Sequence, residues 1–318
     1  MKRWALVLLI GLFFSPLRAQ AEQRAIRVGY LPLVMSLPTF VAHEKGFFAA
    51  QGLKVELVPF QSGTTIIDAL VAGRIDANCG SAITGHWFAE QNVPGRFKIF
   101  LVYGNRSLED NTFVVVVRKD APYTRLKDLE GKRVGTFPGA TSLALARAVL
   151  RKVADPEKVI FTEVPPPNMV PALAAGQIDA FFTPEPLGMI AVAKGIGRYL
   201  MKSPMKLLGL KRGIPGGAFS FSRKFLKDRP QDAQRLRMAY HRAVDFIKAR
   251  EREARAFLVK YARMPEPVAM RIPFEQWIKI EELDRGAAQQ YFDVLYEEGA
   301  YRKRIDTGNL FYSPPRPR

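Results

Sequence analysis

Apolar positions alternate with polar ones, or recur at helical spacing, in segments that follow one another regularly along the first part of the chain. Alternation predicts strands, and apolar residues three or four positions apart predict helices. In chain order the segments are AIRVGYLP (25–32), LPTFVAHEKGFFAAQG (37–52), LKVELVPF (53–60), SGTTIIDALVAG (62–73) and IDANCGSA (75–82). This order of strand, helix, strand, helix and strand predicts a mostly parallel sheet with helices on its faces.

The same order begins again after residue 111. FVVVV (113–117) is an apolar, β-branched run that is typical of a central strand. The segments that follow are KRVGTF (132–137), PGATSLALARAVLRKV (138–153), VIFTEV (159–164), NMVPALAAG (168–176) and IDAFF (178–182). The chain is therefore predicted to contain a second α/β unit.

A nine-residue segment recurs at equivalent places in the two units. ALVAGRIDA (69–77) and ALAAGQIDA (172–180) agree at seven of nine positions and lie 103 positions apart. In each, a helical pattern ends at a glycine, which suits the left-handed turn after a helix, and a strand follows. A generic helix-to-strand turn that recurs by chance is the alternative, but the hydroxyl-rich helix starts of both units favour a duplicated architecture.

The last third of the chain is predicted to be mainly helical. Phe219 and Phe221 alternate within GGAFSFSRKFL (216–226) and predict a strand that returns to the first unit. Apolar positions then recur at helical spacing. The predicted helices cover residues 231–255, 266–272 and 284–298.

These patterns predict an α/β protein with two lobes. A chain of this length exceeds what one hydrophobic core usually organises. The first lobe is expected to be discontinuous, formed by residues 22–111 and 217–318, and the second to be inserted as residues 112–216. Two crossings, near Asn111 and Gly216, would join the lobes and make a hinge.

The first 21 residues have the pattern of a cleavable secretory signal peptide. Lys2 and Arg3 precede an apolar run, and Ala19-Gln20-Ala21 follows it. A membrane anchor is the alternative, but the run is shorter than the roughly 20 apolar residues of a spanning helix. Since no cysteine stands directly after the run, a lipid anchor is not expected, and the mature chain is predicted to be a soluble periplasmic protein.

The net charge of +18 first suggests a nucleic acid, an acidic membrane or an anionic ligand. The basic residues are scattered, however, and in the helix predicted over 231–255 acidic residues interleave with them. We interpret them as a solvated surface, and no nucleic-acid partner is expected.

The sequence lacks the motifs of the common enzyme classes. His43, His86 and His241 have no carboxylate or cysteine at ligand spacing, so neither a metal site nor a nucleophilic triad is indicated. No phosphate-binding loop or dinucleotide motif follows a strand. Cys79, the only cysteine, is interpreted as a packing residue rather than a nucleophile, and it cannot form a disulfide within the chain. We expect no catalytic residue, metal or cofactor.

Several predicted helices start with small and hydroxyl residues. These starts are Ser36, the SGTT segment (62–65), Ser81 with Thr84, and Thr141-Ser142. Free amides at a helix start, with the helix dipole behind them, bind an anion or a polar acceptor. Each hydroxyl alone could simply cap its helix. One acid stands in the loop TPEP (183–186): Glu185 could accept hydrogen bonds from a ligand or pair with an arginine across the hinge.

The chain resembles the periplasmic binding proteins of ABC importers for nitrate, taurine, alkanesulfonates and thiamine-pyrimidine precursors. The motifs that carry the resemblance are residues 28–77, VGTFPGATS (134–142) and IDAFFTPEP (178–186). The resemblance implies a type 2 periplasmic binding fold with a ligand cleft between the lobes. Carried over by motif, the ligand-binding residues would be Met35, Ser36, Ser62, Gly63, Thr64, Ser81, Ala140, Thr141, Ser142 and Glu185.

The predicted function follows from this resemblance. The protein is expected to be a monomer that closes on one small organic or oxyanionic ligand, such as a sulfonate, nitrate or a pyrimidine-like compound, and delivers it to an ABC permease in the inner membrane. The alternative is a sensor module that presents the closed state to a membrane receptor, and the sequence does not separate the two.

Overall fold

The computed structural model describes residues 24–105, 112–138, 140–210, 213–274 and 276–314. The signal peptide predicted for residues 1–21 lies outside the described residues. Two mixed sheets carry helices on their faces, and the chain after residue 222 is mainly helical. The predicted α/β class and the helical C-terminal region are therefore confirmed.

The elements are numbered in chain order. The strands are β1 Ile26–Tyr30, β2 Val55–Pro59, β3 Ala77–Ala82, β4 Phe97–Gly104, β5 Phe113–Arg118, β6 Arg133–Thr136, β7 Ile160–Glu163, β8 Ala180–Pro184, β9 Gly197–Lys202, β10 Pro215–Ser222 and β11 Gln276–Lys279. The helices are α1 Leu37–Glu44, α2 Gly63–Val71, α3 Ile83–Asn92, α4 Ala140–Arg151, α5 Pro166–Ala174, α6 Leu187–Ala193, α7 Arg223–Asp228, α8 Pro230–Ala249, α9 Glu251–Ala262, α10 Glu266–Ala269 and α11 Arg285–Glu297.

The two sheets have the same internal plan. The first has the order β11-β4-β10-β3-β1-β2, and the second has the order β7-β6-β8-β5-β9. In the first, β1 is parallel to β2 and β3, whereas β10 is antiparallel to β3 and β4. In the second, β6 is parallel to β7 and β8, whereas β5 is antiparallel to β8 and β9. The first sheet differs only by the added edge strand β11.

The repeated nine-residue segment forms the same corner in both sheets. The Asp76 carboxylate accepts a hydrogen bond from the Arg27 amide at 2.9 Å, and the Arg27 guanidinium donates to the carbonyl of the preceding glycine. Asp179 and Arg133 make the same two contacts, the first also at 2.9 Å. The aspartate and the arginine together hold the end of each helix against the start of the neighbouring strand. The aspartate therefore has the same structural role in both copies of the segment.

The buried apolar side chains of the described residues form three clusters. One lies under the first sheet and contains Phe40, Phe100, Phe219 and Tyr240. A small one lies between the second sheet and α5 and α6. The largest cluster spans both sheets, because side chains of α4 and of α11 pack in it together. The two sheets are thus linked by packing as well as by the chain.

Two details of the C-terminal region differ from the sequence prediction. The helix predicted over 231–255 is two helices, α8 and α9, because Arg250 between them leaves the helical conformation, with a φ of −134° and a ψ of 48°. Residues 276–279 form strand β11 on the edge of the first sheet, where the sequence predicted no strand. Four residues are too few for a recognisable alternation, so the pairing with β4 decides their conformation.

None of the helices in the part of the chain that the structure describes is both long enough and apolar enough to cross a membrane.

Candidate functional site

The predicted ligand residues lie at the carboxyl edges of the two sheets. Strands β1, β2 and β3 run parallel, so the segments after them emerge at one edge of the first sheet. Strands β6 and β8 do the same in the second sheet. Both chain crossings join these same edges: one leaves the carboxyl end of β4 and enters β5 opposite the end of β8, and the other leaves the end of β9 and enters β10. The carboxyl edges of the two sheets are therefore close together in space.

The corner after β1 is packed against the corner after β3. Ser36 is fully buried, and its hydroxyl donates to the carbonyl oxygen of Cys79 at 3.0 Å. Gly80 has a φ of +104°, and a Cβ on it would lie 2.3 Å from the Ser36 hydroxyl oxygen. Only glycine suits both the conformation and the space. The Ser36 side chain thus joins the corner after β1 to strand β3.

Met35 in the same corner is held by a residue that the sequence prediction missed. The indole Nε1 of Trp277 in β11 donates to the Met35 carbonyl at 2.8 Å. The Trp277 ring also packs against Tyr103, with ring centroids 5.1 Å apart. Trp277 lies more than 240 positions from Met35 along the chain, so no local pattern could have revealed the contact.

The start of α2 presents amides to solvent. Ser62 has an extended backbone, and its hydroxyl accepts a hydrogen bond from the Thr65 amide at 3.2 Å, which makes it the N-cap. The geometry of a helix leaves the amides of Gly63 and Thr64 without intrahelical acceptors, and the Thr64 side chain is exposed. This corner can therefore donate two backbone hydrogen bonds to a ligand.

The third corner of the first sheet contains a buried polar network. The Ser81 hydroxyl accepts from the Asn78 amide at 2.7 Å, so its own proton is not used in that bond. The His86 ring donates through Nδ1 to the Ala82 carbonyl, and its Nε2 lies 2.8 Å from the Ser220 hydroxyl. Burial lowers the pKa of His86 to about 4. His86 is therefore a neutral, hydrogen-bonded core residue.

The second sheet contributes the start of α4. Thr141 and Ser142 stand in its first turn, and both are half-buried. Ala140 begins the helix, while its side chain and Gly139 lie outside the described residues. A helix of this length presents free amides and a positive dipole end at its start.

Glu185 makes its hydrogen bonds within its own sheet. One carboxylate oxygen accepts from the Tyr199 hydroxyl at 2.6 Å, and the other accepts from the Met189 amide in α6 at 2.9 Å. Burial and the neighbouring carboxylate raise the pKa of Tyr199, so the phenol stays protonated as the donor. Among the described residues, the partners of the Glu185 carboxylate are a tyrosine and a helix start. The ligand contact of Glu185 stays a prediction.

The two crossings pair closely where they leave the first sheet. The Asn105 amide donates to the Ile214 carbonyl at 3.2 Å, and the Ile214 amide donates to the Asn105 side chain at 2.9 Å. A Cβ on Gly104 would lie 2.3 Å from the Ile214 carbonyl oxygen. The sequence did not predict this pair.

Two surface depressions lie away from the predicted site. One of about 550 Å³ is lined by Arg118, Lys119, Asp120, Ala174, Gly195 and Ile196, and it lies at the amino edge of the second sheet. The other, of about 340 Å³, is lined by Lys98, Arg223, Leu226, Pro230, Phe311, Tyr312 and Ser313. Neither includes a predicted ligand residue. The described residues contain no group of three or more histidine, cysteine or acidic side chains that could hold a metal ion.

Comparison with known proteins supports the resemblance that the motifs suggested. The model of a family described as the NMT1-like family matches residues 19–262. The nitrate/nitrite binding protein NrtA of Nostoc sp. (strain PCC 7120) is 26% identical over 246 residues, which cover 69% of this chain but only 53% of that protein. The chain thus spans about half the length of that curated relative. A putative aliphatic sulfonates-binding protein of Escherichia coli (strain K12) is 22% identical over 320 residues, 98% of this chain and 95% of the relative.

The fold is shared with a solved structure. The periplasmic aliphatic sulphonate binding protein SsuA from Escherichia coli superposes with a TM-score of 0.75 at 20% identity, and the match covers 92% of this chain and 94% of that one. The two-lobed type 2 periplasmic binding fold predicted from the sequence is therefore confirmed.

Proposed function

Because the chain belongs to the NMT1-like family, we propose that it is a solute-binding protein that captures a small organic or oxyanionic ligand and delivers it to an ABC importer. One observation carries the proposal. Two sheets of the same plan bring their carboxyl edges together through both crossings, and each edge carries a hydroxyl-rich helix start. In open α/β sheets this edge is where ligands bind.

The proposed lobes are those that the sequence predicted. The first lobe is proposed to comprise residues 22–111 and 217–318 and the second residues 112–216; strand β10 of the first sheet begins at Pro215, two positions before that boundary. Closure on a ligand requires that the ligand bind the closed state better than the open state. Amides from α2 in one lobe and α4 in the other supply that difference, since only closure brings both helix starts to the same molecule.

The proposed ligand accepts hydrogen bonds. The predicted contact residues other than Glu185 are uncharged, and the starts of α2 and α4 offer amides at positive dipole ends. Glu185 already accepts two hydrogen bonds from its own lobe. This set of groups suits a sulfonate, nitrate or another polar acceptor better than a cation. Two relatives support that chemistry by name, one a nitrate/nitrite and the other a putative aliphatic sulfonates-binding protein.

The full exported chain, freshly purified, provides the direct test. Mass spectrometry of the small molecules released on denaturation identifies a bound compound. A thermal-shift series then tests whether nitrate, methanesulfonate or taurine stabilises the protein. A ligand at 100 times its Kd stabilises the native state by about 2.7 kcal/mol. Recovery of a chemically altered compound would indicate an enzyme instead. Co-purification with a permease rather than a receptor identifies the partner.

A matched pair of variants tests the site. Thr141→Trp fills the corner at the start of α4, so we expect ligand affinity to fall at least about tenfold, the loss that follows from about 1.4 kcal/mol. Lys152→Trp adds the same side chain just past the other end of the helix, at an exposed position, and serves as the control. If calorimetry gives the two variants equal ligand affinity, the start of α4 is not part of the ligand site.

A further inference from the structure

The first turn of α6 faces both lobes. Leu187 and Ile190 pack against the hydrophobic cluster of the second sheet. Met189 packs instead against the cluster under the first sheet, in which Met35 also takes part at the margin. Leu187 and Ile190 are three residues apart and therefore share one face of α6, whereas Met189 lies on another face. The Met189 side chain thus leaves its own lobe and contacts the other one.

This turn is held tightly against the second lobe. A Cβ on Gly188 would lie 2.8 Å from the Tyr199 ring and 2.9 Å from the Val114 side chain, so α6 approaches β5 and β9 as closely as a glycine allows. Glu185 fixes the same turn from the other side, because it accepts the Met189 amide and the Tyr199 hydroxyl together. A carboxylate makes stronger hydrogen bonds than a neutral acceptor.

We propose that Glu185 is a positioning residue that fixes the start of α6, and that Met189 is an apolar latch that holds the two lobes together at the edge of the ligand site. The inference rests on the proposed function, since a latch between lobes matters only if the lobes close on a ligand. It gives Glu185 a role other than the direct ligand contact that the sequence suggested.

Met189 stabilises the closed arrangement because its contact with the first lobe exists only when the lobes are together. Each methylene buried there favours the closed arrangement by its transfer from water, whether or not a ligand is bound. The latch therefore sets how much of the unliganded protein is already closed. A ligand then binds with an apparent affinity that is scaled by this closed fraction.

The test measures inter-lobe distance without a ligand. Spin labels at Glu56→Cys in β2 and Lys127→Cys in the second lobe, both exposed positions, report the separation, while the fully buried Cys79 stays unlabelled. We expect Met189→Ala to reduce the ratio of short to long distances about threefold or more, as the loss of its buried methylenes implies. Met189→Leu keeps an apolar side chain of similar volume and is expected to retain the distribution.

The role of Glu185 is tested in the same assay. Glu185→Ala is expected to reproduce the Met189→Ala distribution, and the double variant is expected to show no further change, because both act through one contact. Glu185→Gln retains an acceptor for the Met189 amide and is expected to give the same share of short distances as the unaltered protein. An unchanged distribution in Glu185→Ala or Met189→Ala, or additive effects of the two, would overturn the proposal.

Two ligands separate a positioning role from a direct contact. If Glu185 bound an ammonium group, Glu185→Gln would weaken taurine binding and spare methanesulfonate. The positioning role predicts that Glu185→Gln leaves both unchanged and that Glu185→Ala weakens both equally. The distance measurement needs no ligand, so its result can be interpreted even if the proposed transport function is wrong.

Discussion

Gly80 determines how closely the first and third corners of the site can pack. Its φ of +104° is strained for any other residue, and a Cβ would overlap the Ser36 hydroxyl oxygen at 2.3 Å. Gly80→Ala should therefore lower the free energy of unfolding by about 2–4 kcal/mol, the sum of backbone strain and steric overlap. Urea denaturation measures the change.

Gly52 provides the matched control for Gly80. It also has a positive φ, +68°, but nothing lies within 4 Å of a Cβ placed on it. Gly52→Ala should thus show the conformational strain alone, about 1 kcal/mol. If the two substitutions destabilise the protein equally, the overlap with Ser36 contributes nothing and the proposed packing of the two corners is wrong.

The buried His86 gives the protein a specific pH dependence. Its pKa of about 4 in the folded chain is below the value of an unfolded histidine, about 6.5. As the pH falls through this window the unfolded chain binds the proton first, so the free energy of unfolding decreases between pH 6.5 and pH 4. The slope contributed by one such group is at most about 1.4 kcal/mol per pH unit.

Substitution isolates that contribution. His86→Gln removes the titrating ring and retains a polar side chain, so the loss of stability between pH 6.5 and pH 4.5 should become shallower by up to one proton equivalent. His241, whose pKa burial and Arg237 also lower to about 4, makes a similar contribution and remains in the variant. A slope identical to that of the unaltered chain would show that the pKa of His86 is the same in the folded and the unfolded protein.

Residues whose roles are set by their chain neighbours could be predicted from the sequence. Ser62 caps the helix that follows it, and Thr141 stands in the first turn of a helix after a predicted strand. Residues whose roles depend on distant partners could not. Trp277 supports Met35 from 242 positions away, and Asn105 pairs with Ile214 from 109 positions away. Such contacts leave no periodic signal.

At the level of elements, α11 and α4 link the two lobes through apolar packing and one ion pair. Leu295 of α11 is fully buried in the cluster that spans both sheets. Glu298 just beyond α11 pairs with Arg151 at 2.9 Å, but the Arg151 side chain is 48% exposed. Exposed pairs contribute at most about 1 kcal/mol, whereas a buried leucine contributes about 2–5 kcal/mol.

The expected result is a large difference between two substitutions on neighbouring turns. Leu295→Ala should lower the free energy of unfolding by about 2–5 kcal/mol, and Glu298→Gln by less than about 1 kcal/mol. Chemical denaturation at moderate salt compares them. A larger effect of Glu298→Gln would mean that the ion pair, rather than the packed face, holds α11 against α4.

Most of the longer periodic elements were predicted, although the eight-residue strand β4 was not, and short or interrupted elements were missed. Each βαβ segment of the two units appears in the structure because its apolar spacing persists over many residues. The break at Arg250 and the strand β11 were missed. Both are decided by tertiary contacts: α9 packs against α1 and α8, and β11 completes the edge of β4. Local sequence carries little information about such choices.

At the level of the whole molecule, one hydrophobic cluster extends through both sheets. Val115 and Phe182 of the second sheet share it with Ile99 and Val102 of the first, and α4 and α11 pack between them. The proposed lobes must therefore move by a limited rotation that keeps this packing, with the paired crossing segments at Asn105 and Ile214 as the pivot. Complete separation of the lobes would expose a continuous apolar face, which is unfavourable in water.

Shared packing also determines how the molecule unfolds. Because neither sheet can lose its structure without uncovering the common cluster, we expect a single cooperative transition in which the calorimetric and van't Hoff enthalpies agree. Tryptophan fluorescence reports the first lobe, where Trp87 and Trp277 lie, and a fluorophore at Lys127→Cys reports the second. Coincident melting of the two signals is the expected result. Leu295→Ala should lower both midpoints together, whereas a midpoint that shifts for one lobe alone would show that the lobes are stable independently and that their common cluster does not couple them.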